Sequence, residues 1–154
     1  MNYELLASAI MKKLNSHRGV LYRKGDEMLF HIFNTQQERR EYGGSDFVEL
    51  QFCRLPTDTP LKKLVDSDIH WQDDSLYIDD ENLFYNEYSE IFSCGIYNNL
   101  TSGVVDLYGL NYYSPDLTDT IIEKIKDKKP FDCEMLIDWL NQSKAYNGFY
   151  ILGL

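Results

Sequence analysis

Residues 114–152, SPDLTDTIIEKIKDKKPFDCEMLIDWLNQSKAYNGFYIL, decide how the fold is read. Ser114 can cap a helix, and Pro115 suits its first position, where an N–H would be unpaired anyway. Asp116 then puts negative charge at the positive end of the dipole. Leu117, Ile121, Ile122 and Ile125 recur at helical spacing. Lys124, Lys126, Lys128 and Lys129 gather where the dipole favours cations, and Pro130 stops the helix. Asp132 stands in position to cap a second helix, with Met135, Leu136, Trp139 and Leu140 on its buried face. Asn147-Gly148 turns the chain into a last strand, Phe149 to Leu152.

Working upstream, Phe47 to Leu55 alternates as a strand, and Pro56 and Pro60 bracket a loop. Leu76-Tyr77-Ile78 reads as a short strand. Asp79 or Asp80 would cap a helix running to about Phe92, and two further strands are expected at 95–97 and 103–108. Nearer the N-terminus, apolar spacing predicts a helix over 3–15. Val20 to Tyr22 and Met28 to Phe33 read as a hairpin turning at Lys24-Gly25. Thr35-Gln36-Gln37-Glu38 matches a capping box, with Gly43-Gly44 to stop the helix it starts. The whole describes one α+β domain over 1–154: a mainly antiparallel sheet with a C-terminal helix pair and a last short strand.

The chain has 154 residues and a formal charge of −10. That length buries roughly 70% of the unfolded chain's surface in one core. With 44% apolar and 14% aromatic residues, it is too hydrophobic to be disordered. The imbalance is localised. Residues 1–63 hold ten Lys and Arg against eight Asp and Glu, and residues 124–154 hold five against four. Residues 64–123 hold 13 acids and neither Lys nor Arg. Direct nucleic-acid binding is disfavoured, because phosphate contacts need cations, and so is an anionic membrane surface. The N-terminus has no secretory pattern and no apolar run reaches a membrane span, so a cytoplasmic location is expected.

Catalytic and metal signatures are missing from the sequence. There is no GxSxG, P-loop or GxGxxG. Cys53, Cys94 and Cys133 form no CxxC and read as free thiols, and His17, His31 and His70 form no ligand pair. Asp66-Ser67-Asp68-Ile69-His70-Trp71 begins like a calcium loop. It fails where Trp71 replaces the turn glycine and Tyr77 the closing Glu. No cofactor or metal is expected. An enzyme would need residues distant in sequence to meet in space.

The acidic block reads as a surface for a basic partner. Asp73, Asp74, Asp79, Asp80 and Glu81 lie close together, and Glu87 and Glu90 are helical neighbours with no cation near in sequence. Rings among these acids would anchor what the charges steer, with Trp71 and Tyr85 the candidates. A solvated face that keeps the chain soluble is the plain alternative.

The segments Asp106-Leu107-Tyr108-Gly109-Leu110-Asn111-Tyr112-Tyr113, the helix after Ser114-Pro115, Trp139-Leu140 and Tyr146 to Gly153 are similar to parts of a known protein class. The chain resembles the immunity proteins of bacterial polymorphic and contact-dependent toxin systems. The resemblance implies one-to-one inhibition of a cognate toxin, commonly a cationic nuclease, with carboxylates placed where substrate phosphates would sit. The hydrophobic positions of these segments read as core, so no binding role is carried over to them. An intracellular adaptor or regulator that binds a basic protein segment is the alternative.

Overall fold

A seven-stranded antiparallel sheet runs through the computed structural model, which describes residues 28–43, 47–66 and 69–153. The helix expected over 3–15, the strand at 20–22 and the turn at Lys24-Gly25 lie outside the described residues. In chain order come β1 (Phe30–His31), α1 (Gln36–Gly43), β2 (Val48–Phe52), α2 (Leu61–Leu64) and β3 (Leu76–Ile78). Next are α3 (Glu81–Tyr88), β4 (Gly95–Tyr97), β5 (Ser102–Gly103) and β6 (Leu110–Tyr113). A 3₁₀ turn (Pro115–Leu117) leads into α4 (Thr118–Lys128), α5 (Cys133–Ser143) and β7 (Phe149–Leu152). This is an α+β fold with a C-terminal helix pair and a last short strand.

The strands are ordered β1-β3-β2-β7-β6-β4-β5, so the last strand of the chain is the central one. Its run Phe149-Tyr150-Ile151 is buried on both faces, as a central strand requires. Leu50 and Asn111 flank Ile151 from β2 and β6. Gly148 makes the entry possible. Its φ is +84°, and a Cβ there would stand 2.1 Å from the Tyr113 carbonyl oxygen. The ladder extends past β2, where Cys53 N–H donates to Gly148 O at 2.9 Å and Asn147 N–H to Cys53 O at 3.0 Å.

Strand alternation divides the side chains between two faces. Val48, Leu50, Phe52, Leu76, Ile78, Phe149 and Ile151 point to one, where α3, α4 and α5 cover them with Phe84, Tyr88, Ile121, Ile125, Trp139 and Leu140. Each such side chain, fully buried, stabilises the fold by about 1.5–3 kcal/mol. On the other face Tyr112, Tyr150 and Cys53 pack beneath Leu64 and Val65, and Tyr77 packs with Phe33, Phe47, Tyr42 and Trp71.

The helix ends differ from the simple expectation. Thr35 Oγ1 accepts from Glu38 N–H at 3.0 Å, while Glu38 Oε1 reaches back one residue further, to Asn34 N–H at 3.4 Å. Asp80 caps α3 by accepting from Leu83 N–H at 3.0 Å, and that helix ends at Tyr88 rather than near Phe92. Ser114 makes no cap bond to the backbone; its hydroxyl turns to Asp116, and the chain tightens into the 3₁₀ turn instead. Asp132 does not cap α5 with its side chain either. At a φ of +58° its carboxylate accepts from Leu29 N–H at 2.8 Å and Phe30 N–H at 3.1 Å, tying the helix pair to β1.

One further expectation is corrected. The strand expected over 103–108 is only Ser102–Gly103, and the paired segment is Leu110–Tyr113. The one-turn helix α2 follows the loop that Pro56 and Pro60 bracket. Among the described residues no helix is long and apolar enough to cross a membrane.

Candidate functional site

The acids of the 64–123 block do different jobs. Asp79 turns inward, 4% exposed, because it continues the alternation of Tyr77. Its carboxylate accepts from Tyr42 Oη at 3.1 Å and lies 3.8 Å from His31 Nε2. Asp80 is occupied as the cap of α3. Glu87 accepts from Phe131 N–H at 2.7 Å, bracing α3 against the corner between α4 and α5; Tyr88 Oη, donating to Phe131 O at 2.8 Å, does the same. Asp74 pairs with Arg54, and Glu90 has Lys128 Nζ at 3.5 Å. Cations absent from the local sequence therefore arrive from both flanks. Asp73 is exposed, and Glu81 is half-buried in the first turn of α3. Trp71 is also half-buried, packed against the Phe33–Phe47–Tyr77 cluster.

Tyr85, by contrast, is 41% exposed and lines a groove between α3 and the loop that follows β5. The groove encloses about 300 Å³. Asn82, Tyr85 and Asn86 form one wall, at helical spacing i, i+3, i+4. Val105, Asp106, Leu107 and Tyr108 form the other. Tyr108 is 79% exposed, the largest value among the large hydrophobic side chains described. Val104, also exposed, lies on the same connection, and exposed Leu100 lies in the turn between β4 and β5. The core role expected for Tyr108 is thus corrected: it faces solvent.

Tyr108 is presented on a fixed loop. Asn111, fully buried in β6, accepts from Asp106 N–H at 2.8 Å through Oδ1. Its Nδ2 donates to Asp106 O and Ile151 O, both at 2.9 Å. Asp106 Oδ1 accepts from Tyr108 N–H at 2.9 Å, and Gly153 N–H donates to Gly109 O at 2.7 Å. Gly153 lets the backbone after β7 pass beneath the loop, since a Cβ there would stand 2.3 Å from Leu107 O. One buried amide therefore holds the turn 106–109 against the central strand. A loop backbone held this way loses little entropy when something binds the side chain it carries.

The second sheet face carries a separate polar cluster. Glu49 and Tyr77 are register partners, as are Tyr77 and His31. Gln51 Nε2 donates to Glu49 Oε2 at 3.0 Å and to His70 O at 3.1 Å. Ser75, Tyr77 and Arg39 stand beside the Glu49 carboxyl. Burial raises its pKa above the ordinary carboxylate range, although these neighbours and Gln51 pull the other way. Burial likewise raises the Tyr77 phenol. Trp71 Nε1, Ser75 Oγ and Tyr77 Oη are buried without a hydrogen bond of normal geometry. The adjoining cavity, between Gln51, Tyr150, His70 and Gln72, measures about 160 Å³. That suits a few water molecules better than a small-molecule ligand, whose sites run to roughly 300–1,000 Å³. No group of three or more His, Cys, Asp or Glu among the described residues is arranged to hold a metal ion.

The chain matches no protein-family model, and neither the curated proteins nor the solved structures contain a match to it. The fold and the surfaces of the chain itself are what bear on function.

Proposed function

We propose that the protein is a binding protein rather than an enzyme, and that it docks a basic protein partner on the Tyr85–Tyr108 groove. The observation that carries this is Tyr108, an aromatic side chain held far into solvent by a loop fixed to a buried asparagine. Tyrosine is enriched at binding hot spots because it offers a rigid apolar body with a polar tip. Every residue lining the groove belongs to the stretch that contains no Lys or Arg. The nearby charges are Asp106 and, one turn before Tyr85, Glu81. No Lys or Arg lines the groove, and Asp106 among its lining residues would attract a basic surface.

The resemblance to immunity proteins makes that partner a cognate toxin, of which a cationic nuclease domain is the leading candidate. The test is growth protection. Cells making the toxic product encoded beside this protein's own reading frame should survive when the protein is co-expressed, and should lose protection with Tyr108→Ala. A purified pair should form a one-to-one complex that weakens as salt rises. If the protein protects against no neighbouring product, the toxin reading falls. If a partner binds with unchanged affinity to Tyr108→Ala, the groove is not the docking surface.

A further inference from the structure

We infer that the groove between Tyr85 and Tyr108 receives one arginine side chain projecting from the basic partner. This rests on the reading of the groove as a docking surface and specifies what enters it. Tyr85 and Tyr108 line the same slot, yet neither ring is engaged with another aromatic ring of the described residues. Tyr108 is 79% exposed and Tyr85 41%, so each offers ring surface to a cation, and a guanidinium stacks on a tyrosine face as well as being attracted by it. Asp106 supplies the charge. Its Oδ1 is taken by Tyr108 N–H, whereas Oδ2 accepts from no donor among the described residues. The amide oxygens of Asn82 and Asn86 on the opposite wall offer further acceptors for the five N–H groups of a guanidinium. Val105 and Leu107 give an apolar wall for its methylene stem. A volume of about 300 Å³ has room for one such side chain.

Lysine fits less well. Its ammonium is a compact, strongly hydrated point charge and cannot lie flat against either ring. An acidic or neutral side chain would leave the Asp106 carboxylate opposed or unanswered.

The inference can be tested without the partner. The full chain, with its tyrosine rings isotopically labelled, is titrated with three blocked tripeptides, acetyl-Gly-Xaa-Gly-amide, in which Xaa is arginine, citrulline or lysine. Citrulline keeps the shape of arginine and removes its charge. The arginine peptide should shift the ring resonances of Tyr85 and Tyr108 and leave those of buried Tyr113 in place. Citrulline should bind at least about tenfold more weakly, and lysine several-fold more weakly. Asp106→Asn keeps an acceptor for Tyr108 N–H, so the loop stays formed, and should cost the arginine peptide about tenfold.

Equal binding of citrulline and arginine would overturn the inference. So would lysine binding as tightly as arginine, or an arginine response confined to resonances other than Tyr85 and Tyr108. If Tyr108→Ala abolishes partner binding while the peptides are indistinguishable, the docking surface stands and only the arginine assignment falls. If the partner is indifferent to Tyr108→Ala, the docking surface itself falls.

Discussion

The two faces of the sheet solve different problems with the same strands. The face under α3, α4 and α5 is mainly apolar and tightly stacked. Trp139 lies parallel to Phe52 at 4.2 Å between ring centroids and edge-on to Phe149 at 5.8 Å. The other face interleaves rings with hydrogen-bonding groups. Tyr150 Oη donates to Leu64 O at 2.6 Å, Tyr112 Oη to Asn147 O at 2.7 Å, and Glu49 is enclosed among polar neighbours. The first face is sensitive to shape and the second to protonation and pairing. Neither contributes the groove, which is made at one margin by a helix and a loop.

The largest effect should come from emptying the apolar face. Trp139→Ala removes the stack on Phe52 and the bond from Nε1 to Asp74 O at 2.9 Å. It should cost about 3–5 kcal/mol, measured by urea unfolding. On the other face, Tyr150→Phe keeps the ring and loses the hydroxyl that donates to Leu64 O and accepts from Cys53 Sγ. About 0.5–1.5 kcal/mol is expected. If the two variants lose similar amounts, the contrast between the faces is wrong.

Asn111→Ala probes the link between the sheet and the groove. It leaves Asp106 N–H and the carbonyls of Asp106 and Ile151 without their partner, for a loss of about 2–3 kcal/mol. Amide hydrogen exchange should then accelerate at residues 106–109 well beyond the global destabilisation. Uniform acceleration would mean that Asn111 is only a core residue and that the loop holds itself.

Asp132 offers a smaller and more discriminating test. Its pKa is raised chiefly by burial, against the lowering effect of the two N–H donors from Phe30 and Leu29. Asp132→Asn keeps an acceptor for those donors and removes the buried charge, so stability near neutral pH should change by less than about 1 kcal/mol. Asp132→Ala abandons both donors and should cost about 1–3 kcal/mol. Equal losses would show that the charge itself, not the acceptor, holds β1.

How far the sequence disclosed this arrangement varies by segment. The helix pair was legible because Ile121, Ile122, Ile125, Leu136, Trp139 and Leu140 keep helical period, with Pro130 dividing the two helices and Gly148 turning the chain after them. β6 was not, because it opens Leu-Asn-Tyr-Tyr: a buried amide stands where a strand usually buries carbon, and Tyr112 and Tyr113 serve opposite faces. The run from Gly103 to Tyr108 imitated a strand, yet Asn111 bends it into the loop that displays Tyr108. α2 is one turn long, too short for any period. Among the candidate binding residues, Tyr85 falls outside the buried stripe Leu83, Phe84 and Tyr88 of α3. The acids were harder. Period two from Tyr77 to Asp79 was the available sign that Asp79 turns inward, and the pairing of Asp74 with Arg54 and of Glu90 with Lys128 joins segments distant in sequence.

Glu49→Gln gives the smallest effect and tests the claim that the second face responds to protonation. The folded-state pKa of Glu49 is raised above the ordinary value of 4.5, chiefly by burial. Between that value and the folded pKa, the native protein therefore binds more protons than the unfolded chain. Stability attributable to this group falls as pH rises through that window and levels off above it. A glutamine at this position carries no charge to bury and still accepts from Gln51 Nε2. Wild type and Glu49→Gln should thus be equally stable below about pH 4, with the variant gaining through the window and remaining the more stable at pH 7. Because Asp132 titrates in both proteins, its contribution cancels in the difference. A variant less stable than wild type at pH 7 would mean that the ionised carboxylate is held favourably by Arg39, Ser75 and Tyr77. The second face would then be a satisfied charge network rather than one strained by burial.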